Sequence, residues 1–244
     1  MHYVGYYDLA AAVSNAGGLG IITALTQATP EDLRREIRKC KALTNKPFGC
    51  NLTLLPVTVN PDYEGYCKVI IEEGVPVVET AGRNPGKYIK LFHDAGIIVI
   101  HKCVAIRHAL TAIKQGADMI SMDGFECAGH PGSFFTCPGR YQHLLLLTIL
   151  TTLPCEGEED IGNWVLLAKA GRVLTVPFVA SGGCATGSQL AAAIALGAEG
   201  VNMGTRFMAT KEAPIHDNIK QALVDNDERS TTHIFRTLHN TERV

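Results

Sequence analysis

Short apolar, β-rich runs recur along this chain, and each is followed by a stretch with helical spacing. The runs are Leu19–Ile22, Pro47–Asn51, Val75–Glu79, Ile97–Lys102, Met119–Asp123, Val176–Ala180 and Gly200–Met203. Runs that are apolar throughout, rather than at alternate positions, suit strands buried on both faces of a parallel sheet. Helices are expected between them. Asp8–Ala16 is one. Thr29-Pro30-Glu31 supplies an N-cap, a first-turn proline and an acidic residue for a second, with Leu33, Ile37 and Cys40 at helical spacing. Asn84-Pro85 opens another that closes at Gly96; Val104–Gln115 stops at Gly116; the Ala-rich stretch Gly187–Leu196 stops at Gly197. Strand and helix in strict alternation predict an α/β fold with right-handed crossovers. Seven strands in about 200 residues fit a (β/α)8 TIM barrel better than an open doubly wound sheet, the alternative. No GxGxxG turn follows an early strand, which weakens a dinucleotide-binding reading.

Two irregularities interrupt the rhythm. The first element is a helix, and Met1–Tyr7 is barely long enough to supply the strand that a barrel needs before it. The gap between Met119–Asp123 and Val176–Ala180 is about twice the length of one βα unit. The excess sits in Gly132–Gly157, which does not read as a full extra unit.

Composition narrows the class. With 244 residues and 46% hydrophobic content, the chain can bury a core and is read as a single domain over 1–244. A net charge of -2 without a basic run argues against nucleic acid or an anionic membrane surface as partner. The greasiest run, Leu144–Leu153, is too short to span a bilayer and holds Thr148, Thr151 and Thr152. The N-terminus lacks a basic segment followed by an apolar block, so no secretory signal is read and a cytoplasmic location is expected. Eight cysteines form no CxxC pair and several lie inside apolar runs. Reduced, buried thiols are expected, with no disulfide framework and no zinc site.

In a barrel, chemistry collects at the C-terminal ends of the strands. There the sequence places Asn51, His101-Lys102, Asp123, Ser181-Gly182-Gly183 and Met203-Gly204-Thr205. The two glycine turns let backbone N–H groups approach a ligand, and each opens a helix; loops at these positions commonly hold a phosphate. Lys102 is a cation ending an apolar strand, facing either a ligand or Asp123 on the next strand. His101 should point the other way, to the helix layer. His130, flanked by Gly and Pro, suits proton transfer or a hydrogen bond to a substrate anion, or else caps its loop. Glu126 is its partner or a cap. Glu79 faces the pocket or pairs with an ion in the helix layer.

These motifs resemble the nitronate monooxygenase family, formerly 2-nitropropane dioxygenases. Four segments carry the resemblance: Leu9-AAAVSNAGGLGII-Thr23, Lys46-PFGCNLTL-Leu55, Asp123-GFECAGHP-Gly132, and Ser181-GG with GAEGVNMGTRF-Met208. It covers almost the whole chain except 133–157. The resemblance implies an FMN-binding TIM barrel that oxidises alkyl nitronates with molecular oxygen, without metal or nicotinamide. By the same resemblance Asn51, Lys102 and Asp123 contact the flavin ring and ribityl chain, and Ala128 is a small position before the histidine. Ser181, Gly182, Gly183, Gly204 and Thr205 form the phosphate loops. His130 sits over the flavin, contacts substrate and acts as base towards neutral nitroalkanes. Substrate electrons pass to FMN and then to oxygen, leaving a carbonyl compound and nitrite. An oligomer is compatible with this pattern.

The chain departs from the family in three places. It starts at about the methionine that follows the family's first strand, so strand one and its closure of the barrel are expected to be missing. Residues 133–157 interrupt the join between the His-Pro-Gly motif and Glu158-Glu159-Asp160. Deleting them restores motif and spacing, which reads as a retained intron or a divergent lid. Relatives continue with more helices after the point where this chain stops at Val244. Two other readings remain: an FMN-dependent enoyl-thioester reductase using NAD(P)H, and a truncated chain without catalysis.

Overall fold

Seven parallel strands follow the seven apolar runs, with helices between them as the alternation predicts. The computed structural model describes residues 1–54, 61–127 and 161–230. In chain order these form α1 (Tyr7–Asn15), β1 (Gly20–Thr23), α2 (Pro30–Leu43), β2 (Phe48–Leu54), α3 (Tyr63–Glu72), β3 (Val77–Gly82), α4 (Gly86–Asp94), β4 (Ile98–Cys103) and α5 (Ile106–Lys114). Then come β5 (Met119–Asp123), α6 (Asn163–Val173), β6 (Phe178–Ser181), α7 (Gly187–Ala195), β7 (Gly200–Asn202), α8 (Thr205–Met208) and α9 (Asp217–Asp225). Residues 133–157, Ala128 and His130 lie outside the described residues.

The helix starts have local causes. The Thr29 side chain accepts from the Asp32 backbone N–H at 3.1 Å, and Pro30 takes the first helical position, where its missing donor costs nothing. Thr186 and Gln189 form a reciprocal capping box at α7. Glu36, buried on α2, accepts from the Tyr7 N–H at 3.1 Å and so satisfies the open end of α1 from a neighbouring helix. Gly96 and Gly116, at φ of +72° and +102°, end α4 and α5 in the left-handed conformation that glycine adopts without a Cβ clash. Replacing Thr29 by alanine is expected to lower stability by about 1 kcal/mol, read as a shift in the urea midpoint.

The strands run in the order β1-β2-β3-β4-β5-β6-β7, every pair parallel. The sheet is strongly curled. The Asn202 side chain on β7 donates to Glu79 on β3 at 3.2 Å. In a flat sheet those strands would lie about 19 Å apart, four spacings of roughly 4.8 Å. Only curling into a partial barrel brings them into contact. Among the described residues closure stops short: β1 and β7 are each paired on one side only. Met1–Gly5 form a turn rather than a strand; the Gly5 carbonyl accepts from the Thr23 N–H at 2.8 Å.

The core fills the layer between sheet and helices. Ile22, Cys50, Val78, Val99 and Ile120 point outward from successive strands onto Leu33, Ile37, Ile70, Ile89 and Phe92 of the helices, all buried. Cys40, Cys50, Cys67 and Cys103 belong to this layer, as the sequence suggested, and burial pushes the thiols of Cys40, Cys67 and Cys103 up to about 12. No helix among the described residues is long and apolar enough to cross a membrane.

Candidate functional site

Side chains alternate across each strand, so in β4 Lys102 faces the barrel interior while His101 faces the helices. The register fixes the rest. Thr23, Asn51 and Glu79 pair along one rung, and Asp123, Ser181 and Asn202 along another. The polar strand ends therefore converge on one interior space at the C-terminal end of the sheet.

Glu79 stands at the centre. One carboxylate oxygen accepts from Asn51 Nδ2 at 2.7 Å; the other accepts from Asn202 Nδ2 at 3.2 Å and lies 3.9 Å from Lys102 Nζ. The pocket-facing reading of Glu79 is the one observed. Lys102 Nζ also lies 3.5 Å from Asp123 Oδ2, so its ion pair with Asp123 forms together with a second one. Glu79 and Asp123 are 7% and 5% exposed, whereas the Lys102 side chain keeps 27% and reaches towards solvent. Burial works against the Lys102 charge, but the Glu79 and Asp123 carboxylates outweigh it and raise its pKa above the usual lysine range. Burial is also the main influence on Asp123 and lifts its carboxyl above the ordinary range, although Lys102 and hydrogen bonds from Ser181 and Cys127 oppose it. The site is a protonated amine held between two shielded carboxylates.

His101 is structural, as its direction predicts. Its Nδ1 meets Thr80 Oγ1 at 2.8 Å in the helix layer, and burial lowers its pKa from 6.5 to about 4.

The two glycine turns lie side by side. Ser181 pairs with Asn202, and Gly183 and Gly204 each follow two residues later. Gly182 and Gly183 have φ of +95° and +65°. A Cβ on Gly182 would stand 2.7 Å from the Cys127 N atom, so glycine is required there twice over, by conformation and by space. The backbone N–H groups of Gly183, Gly204 and Thr205 have no acceptor among the described residues. Three such donors beside a held cation fit the phosphate and the polar ring edge of a flavin mononucleotide, the group implied by the motifs.

Glu126 is a cap. Both its oxygens accept from the Asn163 N–H, at 3.2 and 3.0 Å, at the first residue of α6. Asn163 in turn donates to the Ser181 carbonyl at 3.0 Å and to that of Gly182, tying the β5 and β6 loops together. Sequence reasoning missed Asn163 and Asn202. Asn202 carried a signal: it is a polar residue inside an apolar run, as Asn51 is. Asn163 carried none, because its role depends on loops that meet only in space. Of the expected site residues, the structure gathers Asn51, Lys102, Asp123 and Ser181 in one network and sets Gly182, Gly183, Gly204 and Thr205 at its rim. Ala128 and His130 fall outside the described residues.

Known proteins share this fold. FabK from Thermotoga maritima superposes with a TM-score of 0.82 at 35% identity, covering 100% of this chain and 68% of that one. A nitroalkane oxidase from Streptomyces ansochromogenes gives 0.74 at 26% identity, covering 94% of this chain and 69% of its own. Among curated proteins, a (3aS,4S,5R,7aS)-5-hydroxy-7a-methyl-1-oxo-octahydro-1H-indene-4-carboxyl-CoA dehydrogenase from Rhodococcus jostii is 33% identical over 95% of this chain. A probable nitronate monooxygenase from Staphylococcus haemolyticus is 28% identical over 92% of the chain and 67% of its own length. The chain spans 57% of the Rhodococcus protein. A sequence model of the nitronate monooxygenase family matches residues 1–243. With its strand order, its curled parallel sheet and that match over nearly every residue, the chain belongs to the nitronate monooxygenase family, a family of flavin-dependent oxidoreductases.

Proposed function

We propose that the chain binds FMN and oxidises alkyl nitronates with molecular oxygen. The observation that carries the flavin reading is the Lys102 ammonium, held between two buried carboxylates beside two glycine turns with open N–H donors. The family match and the curated relatives named as probable nitronate monooxygenases support the nitronate substrate.

When bound, FMN supplies the electron transfer between substrate and oxygen. The chain's own groups supply position and charge. Gly183, Gly204 and Thr205 offer N–H donors to the phosphate. Lys102, protonated across the working range, presents positive charge to the ring edge, and Asn51 fixes the adjacent polar rim. His130 takes the role that the family motif gives it, contact with substrate and removal of a carbon-bound proton from neutral nitroalkanes.

A second reading has its own support. The 33% identical Rhodococcus relative is named as a dehydrogenase of a carboxyl-CoA compound, which favours a CoA thioester as substrate.

The absorption spectrum of the purified chain loaded with FMN separates these readings. A protein-bound band near about 450 nm is expected, bleaching on anaerobic addition of ethylnitronate. Bleaching with NADPH and a thioester, and none with nitronate, would move the assignment to the second reading. Failure to retain FMN would overturn both.

A further inference from the structure

We infer that Glu79 is the positioning residue of this site: its carboxylate fixes Lys102, Asn51 and Asn202 against one another and sets the charge that a bound flavin meets. The inference rests on the flavin reading for its last clause only. Groups from three strands converge on this carboxylate: Asn51 Nδ2 from β2 donates at 2.7 Å, Asn202 Nδ2 from β7 donates at 3.2 Å, and the Lys102 ammonium from β4 forms an ion pair at 3.9 Å. Among the described residues, no other side chain makes hydrogen bonds to both β2 and β7 side chains. Among the described residues β1 and β7 do not pair, so this cross-barrel link does part of what strand pairing does in a closed barrel.

The chemistry at this position is demanding. Two partners donate hydrogen bonds and the third is a cation, and an ionised carboxylate accepts through both oxygens. A glutamine of the same shape would turn an NH2 group towards one of the donors and would lose the charge that holds the amine. Asp123 cannot take over. It touches Lys102 from the other side, but its remaining partners are Ser121 at 3.5 Å, Cys127 at 3.4 Å and Ser181 of β6, none of them on β2 or β7. The two carboxylates therefore divide the work: Asp123 ties the ammonium to β5 and β6, and Glu79 ties it to β2 and β7. The Met1 ammonium, buried beside Thr23, also feels the charges of Glu79 and Lys102, so Glu79 faces two cations in this interior. Removing the Glu79 charge makes the interior more favourable to an electron-rich, anionic ligand.

The test uses the full chain and Glu79→Gln, with Glu79→Asp as the variant that keeps the charge on a shorter arm. Reductive titration of the FMN-loaded proteins gives the affinity ratio between reduced and oxidised flavin. In Glu79→Gln this ratio is expected to rise about tenfold, a midpoint shift of about +30 mV for a two-electron couple. A purely structural role predicts something different: weaker binding of both redox forms by the same factor and an unchanged midpoint, which would overturn the proposal. A second measurement needs no flavin. Acylation of Lys102 by an amine-reactive ester, followed by peptide mass spectrometry, is expected to be about tenfold faster in Glu79→Gln and several-fold faster in Glu79→Asp. Equal rates in all three proteins would overturn the pinning of Lys102. If the parent chain retains no FMN, the flavin reading fails, and the acylation rates still decide the role of Glu79.

Discussion

Replacing Lys102 by methionine is expected to lower folding stability by about 3 to 5 kcal/mol near pH 7.5, the usual cost of leaving a buried charge without its partner. Methionine keeps most of the side-chain length, so the loss is not mainly one of volume. What remains is Glu79 and Asp123 at 7% and 5% exposure, with the cation that neutralised them gone. Two such groups cannot both stay ionised cheaply, and at least one takes up a proton. In the variant the folded-state pKa of Asp123, raised by burial and no longer opposed by Lys102, lies above its unfolded value. The penalty is fully present at high pH and shrinks as the pH falls towards about 4, where the unfolded chain also protonates its carboxylates. Urea unfolding of parent and variant near pH 7.5 and near pH 5 measures this directly. A loss below about 1 kcal/mol at the higher pH would mean that water screens the cluster as it does a surface ion pair.

The second large effect belongs to His101. Burial holds its folded pKa at about 4, against 6.5 in the exposed state. Between those values the unfolded chain binds a proton that the folded chain refuses, so stability rises with pH across that window and is lost on acidification. From about pH 7.5 to about pH 5 this single group is expected to remove about 2 kcal/mol. Asparagine at position 101 can still hydrogen-bond Thr80 and does not titrate. His101→Asn should flatten the pH dependence by that amount while costing little near pH 7.5. A slope unchanged by the substitution would assign the acid sensitivity to other groups.

Both effects follow from alternation along one strand. Adjacent residues 101 and 102 meet opposite environments: a helix layer that excludes charge, and an interior that balances it with two carboxylates. Their directions were legible in the sequence, because a strand buried on both faces sends successive side chains to opposite sides. Strand positions were legible for a similar reason. A central parallel strand exposes neither face to water, and an apolar run such as Met119–Asp123 satisfies that by itself. Strand ends were less so. β2 continues to Leu54, three residues beyond Asn51, because β3 offers partners that far along.

The chain's local pattern determined the α/β alternation, the helix starts at Thr29 and Thr186, the outward face of each strand and the polar character of the strand ends. Each of these depends on neighbours within a few residues, where backbone geometry leaves little choice. Only the tertiary structure decided which polar ends meet. Asn202 and Glu79 are 123 residues apart in sequence, and they touch because the sheet curls. Glu126 serves the N–H of Asn163, 37 residues away, because α6 starts against the loop that follows β5. Curvature is a property of all the strands twisting together, and no single segment encodes it.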